Sequence, residues 1–172
     1  MPAVPVGVIA VSPRDDLGLI KAEVSHIPRI ARFRVQSDPK IGEQLWIFGY
    51  PLSGLITTSG NLTSGIISAL AGPQDDYRLM QMTAQIQPGN SGGPITDSEG
   101  RVIGVVVSKL NDVALLEEQN TMVQNVNFGI KGPVARSFLE ANGVRFQRGD
   151  YEGEGSAAEI VRQIAVRVNC FG

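Results

Sequence analysis

Short stretches of alternating apolar and polar residues, separated by turn-forming clusters, run through most of the chain. The first spans Val4 to Val11 and ends at Ser12-Pro13-Arg14-Asp15. A second covers Leu17 to Glu23, and Pro28 with the charged stretch Arg29 to Arg34 reads as connection or edge. Gln44 to Phe48 predicts a buried strand closed at Gly49-Tyr50-Pro51. Thr57 to Leu70 predicts a ribbon broken at Gly60 and Gly65, and Leu79 to Ile86 a strand leading into a glycine-rich turn. Asp97-Ser98-Glu99-Gly100 is a hairpin signal between Pro94–Thr96 and Val102–Val107, and Val123 to Ile130 supplies a further strand. Strands this short and this regularly punctuated predict an all-β fold, a small antiparallel barrel.

Two stretches have helical rather than strand periodicity. Pro133 to Ala141 spaces its apolar residues for a helix and stops at Asn142-Gly143. Ser156 and Glu159 form a capping-box pattern that opens a short helix over 157–164. Between them, 148–155 is polar and glycine-rich, the composition of a mobile linker. Val166, Val168 and Cys170 alternate as a last strand.

Composition alters this picture little. With 42% hydrophobic and 19% charged residues the chain suits a globular domain, and aromatics at 6% fit the strand reading. A net charge of -2 gives no footprint for nucleic acid or for electrostatic attachment to a membrane. The N-terminus has no basic flank and no long apolar core, so it does not read as a secretory signal. No apolar run approaches the roughly 18 residues of a membrane span. Cys170 is the single cysteine, which excludes an internal disulfide and reads as a small apolar residue. No metal-binding or cofactor motif occurs, so none is expected.

The candidate chemistry lies in Gly89-Asn90-Ser91-Gly92-Gly93-Pro94. A hydroxyl nucleophile must protrude on a tight turn beside backbone N–H groups that can receive an oxyanion. The glycines give that turn its backbone freedom, and Pro94 fixes its exit. The oxyanion hole then falls on Gly89, Asn90 and Ser91, with the N–H groups of Gly89 and Ser91 as donors. A glycine-rich turn whose serine bonds only its own loop is the plainer alternative.

Gln87 to Pro94, followed by Gly100 to Val105, resembles the HtrA-like (Do-like) branch of the trypsin-like serine peptidases. Asp16-Leu17-Gly18-Leu19-Ile20-Lys21 is similar to that family's strand bearing the catalytic aspartate, with Gly18 where a larger residue is common. Gly42 to Pro51, Thr63 to Ala69, Val126 to Ile130 and the helix at 133–141 match later segments, so the similarity covers roughly residues 5–145. It implies the complete second barrel of a two-barrel fold with the last strands of the first. The expected division is 1–35 as the first-barrel remnant, 36–147 as the second barrel and 148–172 as linker and extension.

By this resemblance Ser91 is the nucleophile of a serine endopeptidase and Asp16 the orienting carboxylate. Gln85 lies at the base of the specificity pocket, and Val106, Val107, Ser108 and Lys109 form a wall along which a polypeptide substrate pairs as an added strand. A neutral Gln85 gives no reason to expect an Arg or Lys preference. The family's histidine precedes its aspartate by several tens of residues, whereas only fifteen residues precede Asp16 and none is histidine. The sole histidine, His26, lies beyond a strand that carries it about 20 Å from Asp16, too far for a base. A serine–lysine dyad with Lys21 or Lys109 would need a buried lysine that nothing in the sequence indicates. The chain alone is therefore expected to be inactive or weakly active, or else to be a non-catalytic peptide-binding module. Strands left without neighbours would invite a second chain or a homo-oligomer to complete the first barrel. The resemblance also suggests an extracytoplasmic location, with no role for nucleic acid or membrane.

Overall fold

The computed structural model describes residues 4–27, 29–51, 59–107 and 126–169. Strands β1 (Val6–Ser12) and β2 (Leu17–Ala22) form an antiparallel hairpin turning at 13–16, as the Ser-Pro-Arg-Asp cluster predicts. This hairpin is a sheet of its own, with no strand pairing to the rest among the described residues. Much of its apolar surface stays open to solvent: Val8, Ile9 and Val11 are 70%, 55% and 65% exposed.

The remaining strands are β3 (Arg32–Phe33), β4 (Gln44–Gly49), β5 (Asn61–Ala69), β6 (Leu79–Met82), β7 (Pro94–Thr96), β8 (Val102–Val106) and β9 (Asn127–Lys131). Six of them pair antiparallel in the order β8-β7-β4-β5-β6-β9, and β9 returns to β8, so the barrel closes on itself. Leu45, Ile47, Ile67, Met80, Met82 and Ile95 fill its interior with no exposed surface. The all-β barrel is thus the fold that the alternation predicts. Among the described residues no helix is long and apolar enough to cross a membrane.

Helix α1 (Gly132–Ala141) follows β9 directly, with Pro133 in its first turn. It stops where Asn142-Gly143 predicts: Gly143 takes φ 69°, and Val144 N–H returns to the Leu139 carbonyl at 2.9 Å. The short strand β10 (Gln147–Arg148) then lies parallel to β3, which itself pairs in parallel with β8 through Phe33 and Val102. Helix α2 (Ala157–Ile164) starts with the expected capping box and packs Val161, with Ala165 beyond its end, against Phe48.

The structure departs from the sequence pattern in four places. β5 is one continuous strand through Gly65, not a broken ribbon. A Cβ on Gly65 would sit 2.8 Å from the Ala84 Cα, so its missing side chain serves a close crossing. β6 ends at Met82, because 83–88 peels away toward the glycine-rich turn. The segment 148–155 is docked, not free: Tyr151 donates its hydroxyl to the Ile30 carbonyl at 2.9 Å and lies under the guanidinium groups of Arg29 and Arg32. Beyond α2, residues 165–169 pair with no strand, and Val166 and Val168 are exposed; Cys170 lies outside the described residues.

Candidate active site

The glycine-rich turn is held from below by its own backbone. Asn90 N–H donates to the Gln87 carbonyl at 3.0 Å and Gly93 N–H to the Asn90 carbonyl at 3.0 Å. Gly92 N–H reaches the Val106 carbonyl at 2.8 Å, and Val106 N–H returns to the Gly93 carbonyl at 2.9 Å. On the other flank Tyr50 N–H donates to the Gly89 carbonyl at 3.3 Å. Gly89 and Gly92 adopt φ of 102° and 79°, the left-handed side that glycine takes without penalty.

These bonds bury Asn90 (2% exposed) and leave Ser91 on the surface. Among the described residues neither the Gly89 N–H nor the Ser91 N–H donates to a partner, and Ser91 Oγ bonds nothing. Two unpaired donors thus flank an exposed hydroxyl, which is what an acyl-transfer site needs before substrate arrives. Two further supports depend on contacts distant in sequence and are not legible in it. Asn127 Nδ2 donates to the Ala84 carbonyl at 2.8 Å, pinning the approach to the turn, and Gly49 lies flat against Asn90.

Asp16 sits at the tip of the β1–β2 turn, exposed, with φ 50°. It lines a cleft of ≈ 120 Å³ together with Asp15, Asp76, Arg78, Val107 and Ile130. Val107 directly follows Val106, the residue bonded to Gly92 and Gly93, so the Asp16 turn and the Ser91 turn flank the same strand end. The Asp16 carboxylate has no hydrogen-bond partner among the described residues. Its neighbour Asp15 is engaged instead. The Ser12 hydroxyl donates to it at 2.9 Å and holds its carboxyl below the ordinary value, with Arg78 acting the same way against the effect of burial.

His26 is exposed past the end of β2 opposite the Asp16 turn, and Lys21 is exposed on β2 itself. Gln85 is exposed on the segment leading to the glycine-rich turn. Val106 is buried and spends both backbone groups on that turn, so any edge open to a ligand starts beyond it. Val107 is also buried and donates its N–H to the Phe128 carbonyl at 3.2 Å. Ser108 and Lys109 lie outside the described residues. Among those described, no three His, Cys, Asp or Glu side chains gather as metal ligands.

Residues 2–105 match the family described as the trypsin-like peptidase domain. An uncharacterized protein, y4bJ, of Sinorhizobium fredii is 40% identical over 169 residues, covering 96% of this chain and 26% of its own length. The serine protease Do-like HtrA of Lactococcus lactis is 32% identical over 124 residues, covering 67% of this chain and 29% of its own. The chain therefore spans between a quarter and a third of the length of these two relatives. Among solved structures, the HtrA-type protease AlgW with decapeptide superposes with a TM-score of 0.64 over 81% of this chain and 40% of its own, at 23% identity. The closed barrel, the turn that its strands present and these matches agree: the chain belongs to the trypsin-like peptidase family, in its HtrA-like branch.

Proposed function

We propose that this chain carries the nucleophile, oxyanion hole and orienting carboxylate of a serine endopeptidase acting on polypeptides. The observation that carries the reading is the pair of unpartnered N–H groups at Gly89 and Ser91 beside the free Ser91 hydroxyl. In the reaction Ser91 Oγ attacks the scissile carbonyl carbon while a general base takes its proton. The carbonyl oxygen gathers negative charge between the two N–H groups, where each donor is worth about 3–4 kcal/mol of transition-state stabilisation. Collapse expels the amine, which takes the proton back from the base, and water then hydrolyses the acyl-Ser91 ester. Asp16 is the carboxylate that orients the base and stabilises it when protonated.

The base itself comes from beyond these 172 residues, since their one histidine, His26, faces solvent past the end of β2. The exposed Val8, Ile9 and Val11 support a neighbour packed on the β1–β2 hairpin, either another part of a longer polypeptide or a second chain. The family resemblance also favours action outside the cytoplasm. A second reading, a peptide-binding module without catalysis, is favoured by the unpartnered Asp16 carboxylate.

A fluorophosphonate probe separates the two. Stoichiometric labelling of the native protein that is abolished in Ser91→Ala is the expected outcome. A native protein that takes up no probe, alone or in its complete polypeptide, leaves the binding module as the function.

A further inference from the structure

Arg78 stands on the barrel, immediately before β6, where Lys131 N–H of β9 holds its carbonyl at 2.9 Å. Its guanidinium faces two ways. Nε and Nη2 donate to the two oxygens of Asp76 at 3.0 and 2.7 Å, and Asp76 is in turn fixed by backbone bonds with Gly72, Pro73 and Leu79. Nη1 crosses to the β1–β2 turn, where it meets Asp15 Oδ1 at 3.1 Å and the carbonyl of Arg14. No strand pairing joins that hairpin to the barrel among the described residues. Among the described residues Leu17 adds apolar contact, packed beside Leu79 and Val107 and against Phe33, Val102 and Ala135.

We propose that Arg78 is a positioning residue for the candidate active site, docking the Asp16-bearing turn onto the barrel that carries Ser91. The inference rests on the peptidase reading for its consequence but not for its geometry. Asp16 has a left-handed backbone, uncommon for a non-glycine residue though tolerated by aspartate in turns, and its neighbours Arg14 and Asp15 are the residues that Arg78 grips. A planar fork with donors on two sides suits this bridge. A lysine carries three donors on one nitrogen, too few for the four bonds that Arg78 makes to Asp76, Asp15 and the Arg14 carbonyl.

The consequence is specific. Misplacing a catalytic group by about 1 Å can cost on the order of 100-fold in rate, so a loosened turn slows acylation of Ser91 without touching Ser91. Amide hydrogen exchange and probe labelling on the full chain test the two halves separately. In Arg78→Ala, exchange at residues 13–17 should accelerate at least about 10-fold while β7 and β8 keep their protection; Arg78→Lys should recover part of it. The native turn should also lose protection as acid protonates Asp15 and Asp76, a pH dependence smaller in Arg78→Ala, where only the Ser12 hydroxyl still holds Asp15. Turn exchange that is unchanged in Arg78→Ala, or acceleration spread evenly over the barrel, overturns the docking role. Labelling of Ser91 should slow by about 10- to 100-fold in Arg78→Ala. Equal labelling of both proteins overturns the link to the site. An unlabelled native protein instead refutes the peptidase reading, while the exchange data still decide the dock.

Discussion

Two glycines in and beside the Gly89–Pro94 turn are required for different physical reasons, and alanine distinguishes them. Gly49 has an ordinary backbone, but a Cβ there would lie 2.5 Å from Asn90 Oδ1 and 2.9 Å from Asn90 Cα. Asn90 is buried and cannot retreat, so Gly49→Ala should push the turn outward. We expect a loss of about 1–3 kcal/mol, the usual cost of overpacking, and slower probe labelling of Ser91. Gly92 is the opposite case, with no atom within 4 Å of its would-be Cβ but a φ of 79°. Gly92→Ala should cost about 1–2 kcal/mol through backbone strain alone. Chemical denaturation of both variants gives the costs, and a Gly49→Ala protein with native stability would remove the packing argument.

At the scale of elements, the sequence was informative wherever one local rule dominated. Asp97 to Gly100 forms the expected hairpin, with Gly100 N–H returning to the Asp97 carbonyl at 3.0 Å. Ser156 and Glu159 form their reciprocal cap: Ser156 N–H donates to Glu159 Oε2 at 2.8 Å, and Glu159 N–H to Ser156 Oγ at 3.4 Å. Ser156→Ala should therefore cost about 1 kcal/mol, a fall of about 2–4 °C in melting temperature; no change would mean that packing of Ile160 and Val161 alone holds α2. Pattern failed where tertiary partners decide. The 148–155 segment has a linker's composition, yet Arg29 stacks on Tyr151 and bonds Glu154 at 2.7 Å and Gln163 at 2.6 Å, all more than 120 residues away in sequence. The glycine-rich turn was readable as a turn because its glycines and serine are contiguous. Arg78 was not, because its significance depends on Asp15 and Asp76 meeting in space.

The whole molecule joins a barrel with a dry apolar interior to a hairpin fastened by charge, and acid should part them in order. Asp76 has its carboxyl held below the ordinary value first by Arg78, and Asp15 first by Ser12 and then by Arg78, with Arg14 favouring the charged form of both. A carboxyl depressed in the folded state adds stability that is full above its unfolded value, about 4, and is lost as pH falls through the folded value. The dock should thus be intact above about pH 5 and fail progressively below about 4. Glu43 is depressed in the same way, chiefly by its hydrogen bonds to buried Arg34, so the barrel loses an ion pair over the same range. Yet the six fully buried residues of the interior carry no ionisable group. The turn at 13–17 should therefore exchange its amides freely at a pH where β4 to β9 remain protected and the thermal transition is still cooperative. Hydrogen exchange from pH 7 down to about 3, corrected for intrinsic rates, reads both events at once. If turn and barrel open together, the hairpin is bound by more than the Arg78 bridge and the Leu17 contact.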